Sequence, residues 1–133
     1  MKLLVVDDNV EIVRLLSSIL DMSGHEVGSA YNGMEAIEWL QNNSCDAVIT
    51  DAEMPKLGGV EVCQFIKLRH PEIYIIGMSG SWKALKELSA AGADVCFSKP
   101  FHIDDIDKAI ERRFYSSLPN IGSSAGIIDQ HGL

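Results

Sequence analysis

A regular alternation between short apolar runs and longer amphipathic segments is the feature that most constrains the fold of this chain. The apolar runs start near residues 3, 25, 47, 73 and 95, and each precedes a segment whose apolar residues recur every three or four positions. That recurrence is typical of one face of a helix, whereas short runs rich in Val and Ile are typical of strands. The pattern therefore predicts an α/β fold in which a doubly wound, five-stranded parallel sheet is covered by five helices on two faces.

Local signals support individual elements of this pattern. The second apolar run, over residues 25–30, has few apolar residues, which predicts an edge strand. Asn32 followed by Glu35 resembles a capping box at the start of the second helix. Five residues at helical spacing predict the buried face of the first helix: Ile12, Leu15, Leu16, Ile19 and Leu20.

The length of the chain, 133 residues, fits one domain. We predict that this domain spans residues 1–115, because the helical and strand patterns end there. Residues 116–133 mix Ser, Gly and Pro with a few apolar residues, and we predict a short flexible C-terminal tail.

Charge and composition exclude several classes of protein. The formal net charge is −8 and no run of Lys or Arg forms a basic stripe, which disfavours direct binding of nucleic acid. No apolar stretch approaches the roughly 18 residues of a membrane helix, and Asp7-Asp8 interrupts the first run too early for a signal peptide. The three cysteines show no CxxC spacing, as expected for reduced thiols. We therefore expect a cytoplasmic protein.

Polar side chains stand at the ends of four of the five predicted strands. Asp7 and Asp8 end the first apolar run, Asp51 ends the third, Ser79 follows the fourth, and Lys99 follows the fifth. In an open parallel sheet, functional groups gather in the crevice outside the carboxyl ends of the strands. We therefore predict that these side chains converge on one pocket.

The residue types in this predicted pocket suit phosphoryl transfer to an aspartate. Three carboxylates repel one another unless a positive charge compensates them, and Mg²⁺ is the usual divalent cation near phosphate. With that charge present, one carboxylate can act as a nucleophile toward phosphorus. The anionic oxygens of the transferred group can then be neutralised by Mg²⁺, the ammonium of Lys99 and the hydroxyl of Ser79.

The chain resembles the receiver domain of bacterial two-component response regulators, of the chemotaxis type that consists of a single domain. The resemblance covers residues 2–115 and implies a flavodoxin-like sheet with strand order 2-1-3-4-5. The motifs that carry it are Val5-Val6-Asp7-Asp8, Asp51 with Met54-Pro55 and Gly59, Ser79, and Lys99-Pro100-Phe101.

By this resemblance, Asp51 is the expected phosphoacceptor. Asp8 and Asp51 are expected to bind Mg²⁺ directly, and Asp7 either directly or through water. The main-chain carbonyl of Glu53 is expected to be a further ligand.

The resemblance also assigns roles on the fourth and fifth strands. The hydroxyl of Ser79 is expected to move toward the phosphoryl group, with Lys99 as its cationic partner, and the peptide before Pro100 is expected to be cis. The chain departs from the family at Cys96, where Tyr or Phe is usual. We expect Phe97 not to replace that ring, because successive residues of a strand point to opposite faces.

The implied function is a phosphorylation-dependent switch. A sensor histidine kinase or a histidine phosphotransfer protein would phosphorylate Asp51, and the changed surface would bind a downstream protein target that the sequence does not identify. The chain would catalyse only its own phosphorylation and dephosphorylation, and we expect it to act without a DNA-binding domain. A phosphorelay intermediate is the alternative. A phosphatase of the haloacid dehalogenase type is disfavoured, because that family carries a second Asp where this chain has Glu53.

Overall fold

A computed structural model describes residues 1–115 and 126–128 of the chain. Strands and helices alternate as the sequence predicts. The strands are β1 (Lys2–Val6), β2 (Glu26–Ala30), β3 (Ala47–Asp51), β4 (Tyr74–Ser79) and β5 (Val95–Ser98). The helices are α1 (Val10–Met22), α2 (Gly33–Asn42), α3 (Gly59–Arg69), α4 (Trp82–Ala91) and α5 (Ile103–Phe114). All neighbouring strands are parallel, in the order β2-β1-β3-β4-β5, which confirms the predicted fold class.

A sixth strand, β6 (Gly126–Ile128), lies beyond β5 and pairs with it in parallel, with Val95 opposite Gly126. The sequence analysis predicted no strand there. Residues 116–125 and 129–133, the rest of the predicted flexible tail, lie outside the described residues. The predicted domain boundary at residue 115 therefore stays a prediction.

The sheet separates two hydrophobic layers, because alternate residues of each strand face opposite sides. In β1, Leu3 and Val5 face α1 and α5, whereas Leu4 and Val6 face α2, α3 and α4. All four of these side chains are fully buried. None of the helices within residues 1–115 has the length and apolar content needed to cross a membrane.

The predicted buried face of α1 is wrong at Leu15 and omits Val13. Leu15 is 57% exposed, while Val13, Leu16 and Leu20 are buried. Consecutive residues of a helix point about 100° apart, so Leu15 turns away from the sheet once Leu16 faces it. The predicted edge position of β2 is confirmed.

The predicted capping box at the start of α2 is present in a modified form, because the return bond of Glu35 goes to the residue before the N-cap Asn32. The Oδ1 atom of Asn32 accepts a hydrogen bond from the N–H of Glu35 at 2.8 Å. The Oε1 atom of Glu35 in turn accepts one from the N–H of Tyr31 at 2.9 Å. These bonds fix the start of α2 next to the carboxyl end of β2.

Candidate functional site

The carboxyl edge of the sheet brings together the three predicted carboxylates. One oxygen from each of Asp7, Asp8 and Asp51 lies within 4.8 Å of the other two. Asp7 and Asp51 are buried, with 1% and 8% of their surface exposed, whereas Asp8 is exposed. The cluster thus has a buried floor and an open side. Two acids follow β1 and one ends β3, and these strands are neighbours in the sheet.

Lys99 reaches this cluster from the end of β5, which is separated from β3 by β4 in the sheet. Its Nζ atom lies 3.0 Å from Oδ2 of Asp7 and 2.9 Å from Oδ1 of Asp51. The N–H of Lys99 donates to the carbonyl oxygen of Ser79 at 2.9 Å, which extends the pairing of β5 with β4. The peptide bond between Lys99 and Pro100 is cis, as the resemblance implies. The ammonium therefore links the ends of β1, β3 and β5.

The charges of these side chains shift two pKa values. Burial lowers the pKa of Lys99, but the hydrogen bonds and charges of Asp51 and Asp7 outweigh it, so the net shift is upward. Burial raises the pKa of Asp51, and the negative charge of Asp7 raises it further, against the lowering effect of Lys99. The two upward shifts are compatible, because one ammonium is stabilised by two carboxylates while each carboxylate receives only a share of one ammonium.

The balance of negative and positive charge in the pocket indicates whether the site fits a divalent cation. Within the part of the chain that the structure describes, three carboxylates lie beside a single ammonium, so the pocket has an excess of negative charge. All the side-chain donors are oxygens, which hard cations such as Mg²⁺ prefer. The residues present therefore fit Mg²⁺ by both charge and donor type.

The two buried oxygens of Asp7 both have partners. Its Oδ1 atom accepts a hydrogen bond from the N–H of Asn9 at 2.9 Å, and its Oδ2 atom contacts Lys99. Asn9 is also the N-cap of α1, because its side-chain oxygen accepts hydrogen bonds from the N–H groups of Glu11 and Ile12. The orientation of Asp7 by the main chain of Asn9 had no signal in the sequence.

Ser79 is buried and is connected to the start of α4. Its Oγ atom accepts a hydrogen bond from the N–H of Ser81 at 3.0 Å. The Oγ atom of Ser81 accepts one from the N–H of Ala84 at 3.2 Å, which caps α4. Because the Ser79 oxygen acts as acceptor in this bond, its hydroxyl proton is left for another acceptor. A group that attracts this hydroxyl would also pull on the first turn of α4.

Glu53 lies outside the carboxylate cluster, and its side chain is exposed. This position leaves the predicted role with its main-chain carbonyl. The loop that carries it is closed at the base, where the N–H of Gly59 donates to the carbonyl oxygen of Ala52 at 2.8 Å. A Cβ atom at Gly59 would lie 2.3 Å from the carbonyl oxygen of Asp51, which explains why this motif position is glycine.

Cys96 is fully buried on the α4 side of β5. Its Sγ atom donates to the carbonyl oxygen of Leu85 at 3.8 Å, and burial raises the pKa of the thiol to about 11. Phe97 lies on the opposite face with Val95, as predicted. No aromatic ring of β5 therefore faces α4.

Comparisons with known proteins agree with this geometry. The family model "Response regulator receiver domain" matches residues 3–111. The chain is 35% identical over 127 residues to the transcriptional regulatory protein CpxR homolog of Haemophilus influenzae, covering 92% of this chain and 55% of that protein. It is 31% identical over 113 residues to sporulation initiation phosphotransferase F of Bacillus subtilis, covering 84% of this chain and 91% of that protein.

A solved structure shows the same fold. The chemotaxis response regulator CheY4 of Vibrio cholerae superposes with a TM-score of 0.77 at 29% identity, covering 84% of this chain and 96% of that one. The chain spans about half the length of several relatives, including the CpxR homolog and the PhoP protein of Bacillus subtilis. The match over residues 3–111 places the chain in the response regulator receiver domain family, the phosphorylation-based switches of two-component signalling.

Proposed function

We propose that Asp51 accepts a phosphoryl group from a sensor histidine kinase or a histidine phosphotransfer protein, in a reaction that depends on Mg²⁺ held by Asp7, Asp8, Asp51 and the main-chain carbonyl of Glu53. The observation that carries this proposal is the sharing of the Lys99 ammonium between Asp7 and Asp51. This contact supports the proposal because Asp51 is a buried carboxylate, and Lys99, its cationic partner among the described residues, would also attract an incoming anion.

The reaction follows from these positions. An oxygen of Asp51 attacks phosphorus, the phosphorus–nitrogen bond of the donor phosphohistidine breaks, and an acyl phosphate forms as the imidazole leaves. Lys99 shifts from the carboxylate to one phosphoryl oxygen, and the hydroxyl of Ser79 donates to another. Mg²⁺ held by Asp7, Asp8, Asp51 and the Glu53 carbonyl would supply the positive charge needed for an anionic group to approach the carboxylates.

The consequence of phosphorylation would be a changed surface. Ser79 is connected through Ser81 to α4, so movement of the Ser79 hydroxyl would reposition the start of that helix. We propose that a downstream protein, still to be identified, distinguishes the two positions. The chain would turn over no separate substrate, and a cytoplasmic location is part of the same proposal.

A phosphorelay intermediate is the second candidate. It is favoured by the similarity to sporulation initiation phosphotransferase F, whose name describes phosphotransfer and of which this chain covers 91%. In that case Asp51 would pass its phosphoryl group to a histidine of a further protein. Mixing the phosphorylated chain with candidate phosphotransfer proteins would separate this function from docking on a target.

Incubation with acetyl phosphate, followed by intact mass measurement, tests the proposed chemistry. We expect one phosphoryl group to be added with Mg²⁺ present and none after chelation. Asp51→Asn should abolish the addition, whereas the control Asp21→Asn, which changes an exposed acid of α1 outside the cluster, should not. An unchanged wild-type mass, or full labelling of Asp51→Asn, would refute the assignment.

A further inference from the structure

The loop that follows the proposed phosphoacceptor has an unusual main chain. Lys56 and Leu57 have φ angles of +50° and +73°, and no other non-glycine residue described has a positive φ. This left-handed region is unfavourable for residues that carry a Cβ atom, and it persists only where surrounding contacts impose it. Two such residues in succession therefore require contacts from elsewhere in the fold that stabilise their left-handed conformation.

The partner is the first turn of α2. The N–H of Gly33 donates to the carbonyl oxygen of Leu57 at 3.0 Å, and the N–H of Met34 donates to that of Lys56, also at 3.0 Å. These are the first two amides of the helix, which have no acceptor within the helix itself. The third amide, from Glu35, is satisfied by the side chain of Asn32.

Gly33 is the residue that permits this contact. A Cβ atom there would lie 2.3 Å from the carbonyl oxygen and 2.7 Å from the carbonyl carbon of Leu57. Both are main-chain atoms, so no side-chain rotation could relieve the overlap. The α2 helix can thus approach the loop this closely only because position 33 has no side chain.

The β3–α3 loop, residues 52–58, is therefore held both at its base and at its tip. The N–H of Gly59 fixes the base through the carbonyl of Ala52, and α2 fixes the tip through Lys56 and Leu57. Glu53, whose main-chain carbonyl is the proposed Mg²⁺ ligand, lies between these two points. With few residues between the anchors, releasing the tip would change the path of the main chain at Glu53.

We infer that the amino terminus of α2 imposes the left-handed conformation of the β3–α3 loop and thereby sets the position of the Glu53 carbonyl, so that Gly33 and Leu57 are positioning residues for the Mg²⁺ site. This inference rests on the proposed function, because it assumes that the Glu53 carbonyl binds the metal. It goes beyond that function by placing a determinant of metal affinity on α2, a helix that supplies none of the proposed ligands.

Substitutions at Leu57 separate the conformation of this residue from its side chain. A β-branched residue strongly resists a positive φ, whereas Asn adopts it readily. Leu57→Val should therefore release the loop from α2 while keeping an aliphatic side chain. Leu57→Asn should keep the contact while removing that side chain, which is 43% exposed.

The measurement is the dissociation constant for Mg²⁺, obtained by competition with Mn²⁺ followed by electron paramagnetic resonance. We expect Leu57→Val to weaken binding by about tenfold, at the low end of the effect of losing an outer-shell contact, and Leu57→Asn to stay close to wild type. In metal-free protein, the amides of Gly33 and Met34 should exchange hydrogen faster in Leu57→Val only. That second readout does not depend on metal.

A matched pair of glycine substitutions tests the same contact from α2. Gly33→Ala should weaken Mg²⁺ binding, because its Cβ atom pushes the loop away. Gly80→Ala should leave the affinity near wild type, since a Cβ atom there meets nothing within 4 Å and, among the described residues, Gly80 forms no main-chain hydrogen bond with α2 or the β3–α3 loop.

Three results would overturn the inference and leave the proposed function standing. The first is unchanged Mg²⁺ affinity in Leu57→Val despite fast exchange at Gly33 and Met34. The second is continued protection of those amides in Leu57→Val, and the third is weaker binding in Leu57→Asn than in Leu57→Val. Failure of the wild-type chain to bind either cation would instead refute the metal site, and the inference with it.

Discussion

Two loops leave neighbouring strands at the carboxyl edge of the sheet, and they are held very differently. The β3–α3 loop is fixed at its base by Gly59 and at its tip by α2. The connection from β4 to α4 consists of Gly80 and Ser81, and a Cβ atom at Gly80 would meet nothing within 4 Å. The β3–α3 loop carries Glu53, whose main-chain carbonyl is a proposed metal ligand, and the β4–α4 connection joins Ser79 to α4.

This difference suggests that one loop holds a metal ligand in place while the other changes position. A metal site benefits from ligands that are held in place before the ion arrives, because less ordering accompanies binding. A switch needs an element that can take two positions. We therefore expect the β3–α3 loop to stay fixed and the β4–α4 connection to move when Asp51 is phosphorylated.

The strongest test of this contrast is a methyl group added at Gly59, which closes the base of the β3–α3 loop, and at Gly80, within the β4–α4 connection. Gly59→Ala places a Cβ atom 2.3 Å from the carbonyl oxygen of Asp51, so we expect the free energy of unfolding to fall by about 3 kcal/mol. Gly80→Ala has open space around it and should change stability by less than about 0.5 kcal/mol. Urea unfolding of both variants gives the comparison. Equal effects would show that the two loops are packed alike.

The next test concerns the Lys99 ammonium, which contacts both Asp7 and Asp51. Lys99→Met keeps the aliphatic stem but leaves Asp7 and Asp51 without their cation. We expect a loss of about 2 kcal/mol in metal-free buffer, less than for a fully buried pair because a quarter of the Lys99 side chain is exposed. Saturating Mg²⁺ should shrink this loss, since the metal neutralises the same carboxylates. Unfolding in urea with and without Mg²⁺ measures both values.

Lys67→Met is the matched control for this test. Lys67 lies 3.7 Å from Asp94, and both side chains are more than a third exposed, so the expected loss is below about 1 kcal/mol and independent of Mg²⁺. A Lys99→Met loss that Mg²⁺ leaves unchanged would place the lysine in a purely structural role.

The smallest expected effect is at the cap of α4. Ser81→Ala removes the acceptor for the N–H of Ala84 and should cost about 1 kcal/mol of stability. Ser81→Thr retains a hydroxyl and should recover most of it. Because the bond from the Ser81 N–H to Ser79 uses the main chain, neither variant should loosen Ser79 directly. Thermal unfolding would reveal the difference, and equal stability of the Ala and Thr variants would mean that the cap contributes little.

Much of this architecture could be predicted from the sequence, for physical reasons. The alternation of strand and helix patterns and the polar residues at strand ends are local properties, so they located Asp7, Asp8, Asp51, Ser79 and Lys99 before any coordinates. The order of the strands was available only through the resemblance to receiver domains, because periodicity does not determine which strands are neighbours.

Other features had no local signal. The contact between Gly33 and Leu57 joins the first residue of α2 to a loop that is distant in sequence, and we infer that this contact, and not residue type, imposes the positive φ at Lys56 and Leu57. The short strand β6 contains one Gly and two Ile, too few apolar residues to predict a strand from the sequence. Leu15 was misplaced because apolar residues at helical spacing do not indicate how wide the buried stripe is.

The measurement that tests the account most directly is a comparison of amide NMR shifts with and without beryllofluoride, a mimic of the phosphoryl group, with Mg²⁺ present in both samples. Our account predicts that Asp51 and residues 79–85 change most, while residues 54–57 of the β3–α3 loop and Cys96 and Phe97 of β5 change little. The Asp51→Asn variant should show no such change. Large shifts centred on residues 54–57 or 95–98, with little change in the first turn of α4, would contradict the proposal that the β3–α3 loop stays fixed while the β4–α4 connection moves.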